Sequence, residues 1–230
     1  MNKNTIKVIA FDADDTLWIN ETYFREAENE FAFLLSNYET ENKIHQELFK
    51  KEIKNLAIYG YGIKGFVLSM IECALEISNN QVDQNIITKI LNIGKTMLQK
   101  PVIILDGVIP VLEALKGNYK LIVATKGDLL DQEKKLEKSG LIKYFHHIEV
   151  MSEKKESDYK KLIKHLDIDA HEFLMIGNSL KSDVLPLINI GATAIHIPFH
   201  TTWKHEKVKQ NLLNYNYRTI SKIEDLLNFL

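Results

Sequence analysis

The run Ile6-Lys7-Val8-Ile9-Ala10-Phe11-Asp12-Ala13-Asp14-Asp15-Thr16-Leu17 passes from apolar to acidic at a single residue. Ile6 to Phe11 has the length and β-branched content of a buried strand. Asp12, Asp14 and Asp15 then crowd its end, where an apolar run offers them little solvation. Ligands of open α/β sheets bind beyond the carboxyl ends of the strands, so a site is expected at this point. Two like charges about 4 Å apart repel by ~4 kcal/mol at an effective dielectric near 20, and a bound cation relieves that repulsion. A calcium loop is the first competitor, with Asp12, Asp14 and Thr16 at its first, third and fifth positions. It fails because Leu17 stands where that loop needs Gly and Tyr23 where it needs a bidentate Glu. A solvated acidic turn is the bland alternative, and the remaining strand ends decide against it.

Four further short apolar runs read as strands: Leu121 to Ala124, Ile148 to Met151, Phe173 to Ile176 and Ala194 to Ile197. From residue 101 onward they alternate with helical stretches, Leu129 to Ser139 stopped by Gly140 and Asp183 to Ile190 stopped by Gly191. Such alternation predicts a parallel sheet covered by helices on both faces. Residues 20 to 100 break the pattern, with helical periodicity only. Phe24, Ala27, Phe31, Leu34 and Leu35 mark one apolar face, and Val82, Ile86, Ile90 and Ile93 another. The expected fold is therefore α/β, with residues 1–18 and 101–230 as the core and residues 19–100 as an inserted α-helical domain. A closing helix is expected to dock on the sheet through Ile223, Leu226, Leu227 and Leu230.

Composition narrows the function classes. Hydrophobic residues at 45% and charged residues at 26% give an ordinary globular balance and exclude wholesale disorder. Lys+Arg 29 against Asp+Glu 31 leaves a formal charge of -2, with no polybasic excess for a nucleic acid or an anionic bilayer. The single cysteine, Cys73, lies in an apolar run and can form neither an intramolecular disulfide nor a thiolate metal cluster. The apolar run that ends at Phe11 is too short for a signal segment or a membrane span, so a cytoplasmic protein is expected. Nothing in the sequence signals an oligomeric state.

Three later strand ends complete a constellation. Thr125-Lys126-Gly127 offers a hydroxyl and turn amides, and Ser152-Glu153-Lys154-Lys155 offers ammonium groups. Gly177-Asn178-Ser179-Leu180-Lys181-Ser182-Asp183 offers an amide, hydroxyls and a carboxylate leading into a helix. A carboxylate nucleophile, a second acid, a hydroxyl, a lysine and a metal site on one edge are what phosphoryl transfer needs.

These four motifs, in this order, resemble the haloacid dehalogenase superfamily in its phosphatase branch. The likeness covers residues 6 to 17 and 101 to 197, and the helical block stands where the family carries a helical cap. It implies a Rossmann-like core, an enzyme that hydrolyses phosphoric monoesters, Mg²⁺ as cofactor and a small phosphorylated metabolite as substrate. It further implies Asp12 as nucleophile, Asp14 as general acid and base, and Thr125 and Lys154 as phosphate holders, with Thr16 orienting Asp14. Mg²⁺ would be bound by the Asp12 carboxylate and the Asp14 carbonyl, and by Asn178 or Asp183. The family begins its fourth motif Gly-Asp, whereas this chain has Gly177-Asn178, so both alternatives stay open, as does Lys155 beside Lys154. Family members that cleave carbon–halogen bonds lack an Asp at position 14, because a halide needs no proton on leaving. Ester hydrolysis is thus favoured over dehalogenation, and a non-catalytic phosphate-binding protein on the same fold is the other class.

Several features read otherwise. Gly60-Tyr61-Gly62-Ile63-Lys64-Gly65 fits a dinucleotide fingerprint, but the acid at Asp83 follows no strand. A plain break between two helices, or a substrate loop of Tyr59, Tyr61 and Lys64, are the alternatives. His196, His200 and His205 fit no compact zinc spacing. Trp18 and Trp203 are expected to pack, and the Lys/Glu run 133 to 138 to form a solvated helix face.

Overall fold

The computed structural model describes residues 5–208 and 215–230. Among the described residues, six strands form one sheet in the order β3-β2-β1-β4-β5-β6, and every neighbouring pair is parallel. They are β1 Val8–Phe11, β2 Lys120–Lys126, β3 Ile148–Met151, β4 Phe173–Gly177, β5 Thr193–His196 and β6 Arg218–Thr219. The expected α/β, Rossmann-like parallel sheet is what forms.

Side-chain alternation along the strands divides the core in two. Ile9 and Phe11 of β1, Leu121 and Val123 of β2 and Leu174 and Ile176 of β4 face one layer. That layer is closed by α5 Val108–Leu115, by Leu136 of α6 Leu129–Lys138 and by Ile223 and Leu226. Val8, Ala10, Ile122, Ala124, Phe173 and Met175 face the other, under α7 Glu156–His165 and α8 Leu185–Asn189. Because helices cover both faces, the strands read as continuous apolar runs. α6 stops where Gly140 takes a positive φ of 68°, which lets the chain turn without a Cβ clash.

The chain divides into two compact units, residues 1–21, 102–126 and 132–230 in one, residues 22–101 and 127–131 in the other. The helices α1 Glu21–Leu34, α2 Glu41–Tyr59, α3 Ile63–Ile77 and α4 Gln84–Gln99 lie between β1 and α5 in the chain. Ala27 and Phe31 of α1, Leu48 of α2, Phe66 and Met70 of α3 and Ile90 and Ile93 of α4 form a separate apolar core. Cys73 is buried in it, and burial pushes its thiol up to about 12, so it behaves as a small hydrophobe.

Two sequence expectations are corrected. Arg218–Thr219 pairs with β5 as a sixth strand, too short and polar to register as an apolar run. The closing segment Ile223–Asn228 is a 3₁₀ rather than an α-helix, so Ile223 and Leu226 share one side and Leu227 is exposed. Among the described residues, no helix is long and apolar enough to cross a membrane.

Candidate active site

The chain order places β2 and β4 on either side of β1, and the crevice at such a switch point is where ligands bind in doubly wound sheets. β1 ends at Phe11, and the next residue, Asp12, still donates its backbone N–H to the Ile176 carbonyl of β4 at 2.8 Å. Its carboxyl group is therefore fixed at the sheet edge. Lys154, three residues past the end of β3, is buried and donates to Asp12 Oδ1 and Asp183 Oδ1, both at 2.6 Å. Lys155 is exposed and caps the start of α7, so of the two lysines Lys154 is the one in the cluster.

Asp183 reaches the cluster from a π-helical turn, Leu180–Val184, that follows β4. Its Oδ2 accepts the Ser179 N–H at 3.0 Å, and its own N–H donates to the Ser179 carbonyl at 2.8 Å. Gly177 makes room: a Cβ there would overlap the Asp183 carboxylate. Asn178 is half-buried, with its backbone carbonyl facing His196 Nε2 at 3.1 Å. Asp183, not Asn178, is the residue that shares Lys154 with Asp12. Thr125 is buried at the end of β2, its hydroxyl donating to the Lys126 carbonyl at 3.2 Å.

Two buried carboxylates face one ammonium, which leaves the pocket short of positive charge. Burial pushes the Asp12 carboxyl up to about 7, against the pull of Lys154 and with Asp183 adding to the rise. Burial works to lower the Lys154 ammonium, but Asp12 and Asp183 hold it well above its ordinary range. Among the described residues, no three His, Cys, Asp or Glu side chains form a ready-made metal cage. The donors present, two buried carboxylates, suit a hard cation that takes few protein oxygens and keeps several waters, as Mg²⁺ does. Lys154→Ala should cost about 3–5 kcal/mol in urea unfolding, since it leaves buried charges unpaired. Lys155→Ala should stay within about 0.5 kcal/mol.

Asp14 is held differently. Trp18 Nε1 and Lys135 Nζ donate to its Oδ1 at 2.8 and 2.9 Å, and Gln132 Nε2 donates to its Oδ2 at 2.7 Å. Thr16, expected to orient Asp14, instead places its hydroxyl 3.3 Å from Asp12 Oδ2, because the tight turn after β1 brings i and i+4 together. Trp18 is buried as expected, but its indole N–H is also a ligand for Asp14. Lys135 leaves the solvated face predicted for residues 133 to 138 and is mostly buried against Asp14 and the Asn20 side chain.

Asp15 shapes the turn. Its φ of +62° is left-handed, a region Asp and Asn tolerate better than most residues. Its carboxyl group accepts the N–H of Asn20 at 2.8 Å and that of Glu21 at 3.0 Å, at the start of α1. Burial pushes this carboxyl up to about 8, opposed by the Asn20 N–H and helped by Asp14. Between about pH 4 and that value the folded protein keeps a proton that the unfolded chain releases, so this residue's contribution to stability falls as pH rises. Asn accepts the same N–H groups without a charge. Asp15→Asn should therefore raise stability in urea unfolding at pH 8, with the gain shrinking toward pH 4.

The remaining features lie elsewhere. Gly60 to Gly62 joins α2 to α3 with no strand before it, which removes the dinucleotide reading. Tyr59 donates to Glu72 at 2.7 Å and Lys64 to Asp128 at 2.9 Å, both within the helical unit. His200 pairs with Thr201 and His205 with Lys181, so the three histidines do not converge. A site component that the sequence reading missed is Glu206. Burial pushes its carboxyl up, yet the Lys126 charge and hydrogen bonds from Lys126, Ser179 and Ser182 bring it down to about 2.

A doubly wound sheet with a carboxylate–lysine cluster at its switch point is the architecture of α/β proteins that bind their ligands at strand ends. Residues 6–191 match the family model for haloacid dehalogenase-like hydrolases, and the chain belongs to that family. A haloacid dehalogenase-like family hydrolase from Xanthomonas campestris is 41% identical, with a TM-score of 0.81 over 90% of this chain and 87% of that one. The pyrimidine 5'-nucleotidase YjjG of Escherichia coli K12 is 28% identical over 130 residues, 54% of this chain and 56% of its own length, so the match spans little more than half of that relative. The HAD-hydrolase YfnB of Bacillus subtilis, described as bound to magnesium, shares the fold at 18% identity, with a TM-score of 0.64 over 98% of each chain. Structures described as phosphatases and as 2-haloacid dehalogenases share it too, at identities below 20%.

Proposed function

We propose that this protein is a Mg²⁺-dependent phosphatase that hydrolyses a small phosphorylated metabolite through an aspartyl-phosphate on Asp12. The observation that carries the reading is a pair of differently held carboxyls on one turn. Asp12 is buried against Lys154, while Asp14 sits part-exposed among Trp18, Gln132 and Lys135. An ester leaves as an oxyanion that needs a proton, and a second acid on the same turn supplies it. A halide needs none, which sets this reading above dehalogenation.

In the proposed cycle the Asp12 carboxylate attacks phosphorus in line, forming an acyl phosphate as the ester P–O bond breaks. Asp14 gives its proton to the leaving oxygen, then takes one from the water that cleaves the acyl phosphate. Lys154 and the Thr125 hydroxyl hold the phosphoryl oxygens. Mg²⁺ held by Asp12, the Asp14 carbonyl and Asp183 would offset negative charge on the transferring group. Asn178 is left out of the ligand set because its side chain takes no part in the Lys154 cluster. Residues 1–18 and 101–230 are the catalytic part in this reading, and residues 19–100 the part that selects substrate. Nucleoside monophosphates head the substrate panel because the E. coli relative is named a 5'-nucleotidase.

The test is phosphate release from p-nitrophenyl phosphate and a panel of phosphorylated metabolites. Release should vanish in excess chelator and return with Mg²⁺. Turnover undiminished by chelation would remove the metal from the reading, and halide release from 2-haloacids without phosphate release would replace it with dehalogenation.

A further inference from the structure

Glu206 stands on a single 3₁₀ turn, Lys204–Glu206, well past β5, yet its carboxylate joins two of the loops that carry the site. Oε1 accepts from Lys126 Nζ at 2.6 Å, one residue after Thr125. Oε2 accepts from Ser179 Oγ at 2.5 Å and from Ser182 Oγ at 2.6 Å. Lys126 Nζ also reaches Ser182 Oγ at 3.0 Å, and both serines are buried. Ser179 in turn holds Asp183 through its N–H and caps the π-helical turn by accepting the Ser182 N–H at 3.0 Å. A π-helical turn is an uncommon conformation that recurs at functional sites, and this one is tied from outside by a residue more than twenty positions away.

The charge balance fits a holding role. Asp12 and Asp183 already exceed the one ammonium between them, and a further bare carboxylate nearby would worsen that excess. The Lys126 ammonium cancels Glu206, so the carboxylate can serve as a two-pronged acceptor without adding net charge. Glu206 touches neither Asp12, Asp14 nor Lys154 through any of these bonds.

We propose that Glu206 is a positioning residue: it clamps the turn that carries Asp183 to the end of β2, and so sets the geometry in which Asp183 meets a cation. The second half rests on the phosphatase reading above; the first half does not. Outer partners of metal ligands typically govern affinity by 10–100-fold when removed.

Two measurements on wild type, Glu206→Ala, Glu206→Gln and Glu206→Asp test it. In hydrogen exchange, Glu206→Ala should lose protection at the amides of residues 179–184 while β1 and β4 keep theirs. In calorimetric Mg²⁺ titration without substrate, Glu206→Ala should bind about 10-fold more weakly or worse, with Glu206→Asp recovering part of the loss. A general loss of structure would instead lower the melting temperature and protection everywhere; if Glu206→Ala does not fold, Glu206→Gln, which keeps shape and one acceptor, gives the same comparison. Unchanged exchange at 179–184 overturns the clamp. Local loss of protection with wild-type Mg²⁺ affinity overturns its role at the cation. A wild-type protein that neither binds Mg²⁺ nor releases phosphate overturns the phosphatase reading and the cation half together, and the exchange result still decides the clamp.

Discussion

Asp12→Asn should release no phosphate from any substrate, with turnover down by about 10⁴-fold or more, while the protein becomes no less stable. Removal of a covalent nucleophile costs rate on that scale because the residual activity comes from binding and charge alone. A neutral amide cannot form the acyl phosphate. Stability should move the other way. Asp12 is buried and its carboxyl is pushed up to about 7, so near neutral pH the folded state bears the cost of a charge that the unfolded chain carries freely. The substituted amide removes that charge and its oxygen can still accept from Lys154, which keeps Asp183 as its ionic partner. The variant should match or exceed wild type in urea unfolding at pH 8, and the difference should narrow as pH falls toward 4. Loss of activity with loss of fold would leave the nucleophile unassigned; full activity in a folded Asp12→Asn protein would end the covalent reading.

The sheet was legible because strands buried on both faces need unbroken apolar runs, and Val8 to Phe11 and Phe173 to Ile176 have nothing else to be. β6 escaped for the converse reason: it is two exposed residues, Arg218 and Thr219, with no apolar run to mark them. The carboxylates were legible because a strand end leaves acids with few alternatives. Their holders were not. Gln132 and Lys135 reach Asp14 from more than a hundred residues away, and on a helix rich in Lys and Glu nothing local distinguishes the one lysine that turns inward. Lys154 and Lys155 are chemically identical in sequence; the start of α7 separates them by making Lys155 the residue before the first helical turn and leaving it exposed. Spacing in a turn does not reveal which of two neighbouring carboxylates lies across from Thr16, and its hydroxyl faces Asp12 rather than Asp14. Glu206 carried no signal, since an isolated Glu in a loop is ordinarily solvated and only the fold brings Lys126 and the two serines to it.

Asp14→Asn should give a burst of nitrophenol equal to the enzyme concentration from p-nitrophenyl phosphate, followed by a stall. The two proposed duties of Asp14 fall on different steps, so the leaving group separates them. Nitrophenolate is stable without a proton, so the first step should slow only modestly. Attack of water on the acyl phosphate still requires a base, and losing one should slow that step by about 10²–10⁴-fold. The phosphoenzyme on Asp12 then accumulates and is visible as a mass increase on the intact chain. An alkyl phosphate, whose alkoxide must be protonated to leave, should give neither burst nor phosphoenzyme in the same variant. Asn fits the site at modest cost. Gln132 Oε1 has no hydrogen-bond partner among the described residues and can turn to accept from the new amide, giving up the bond of Gln132 Nε2 to the Lys126 carbonyl. One exchanged hydrogen bond is worth about 1 kcal/mol, so the variant should fold and the kinetics should report chemistry. Steady turnover of p-nitrophenyl phosphate at the wild-type rate would show that Asp14 is not the base. A burst with the alkyl phosphate equal to that with the aryl one would show that it is not the acid.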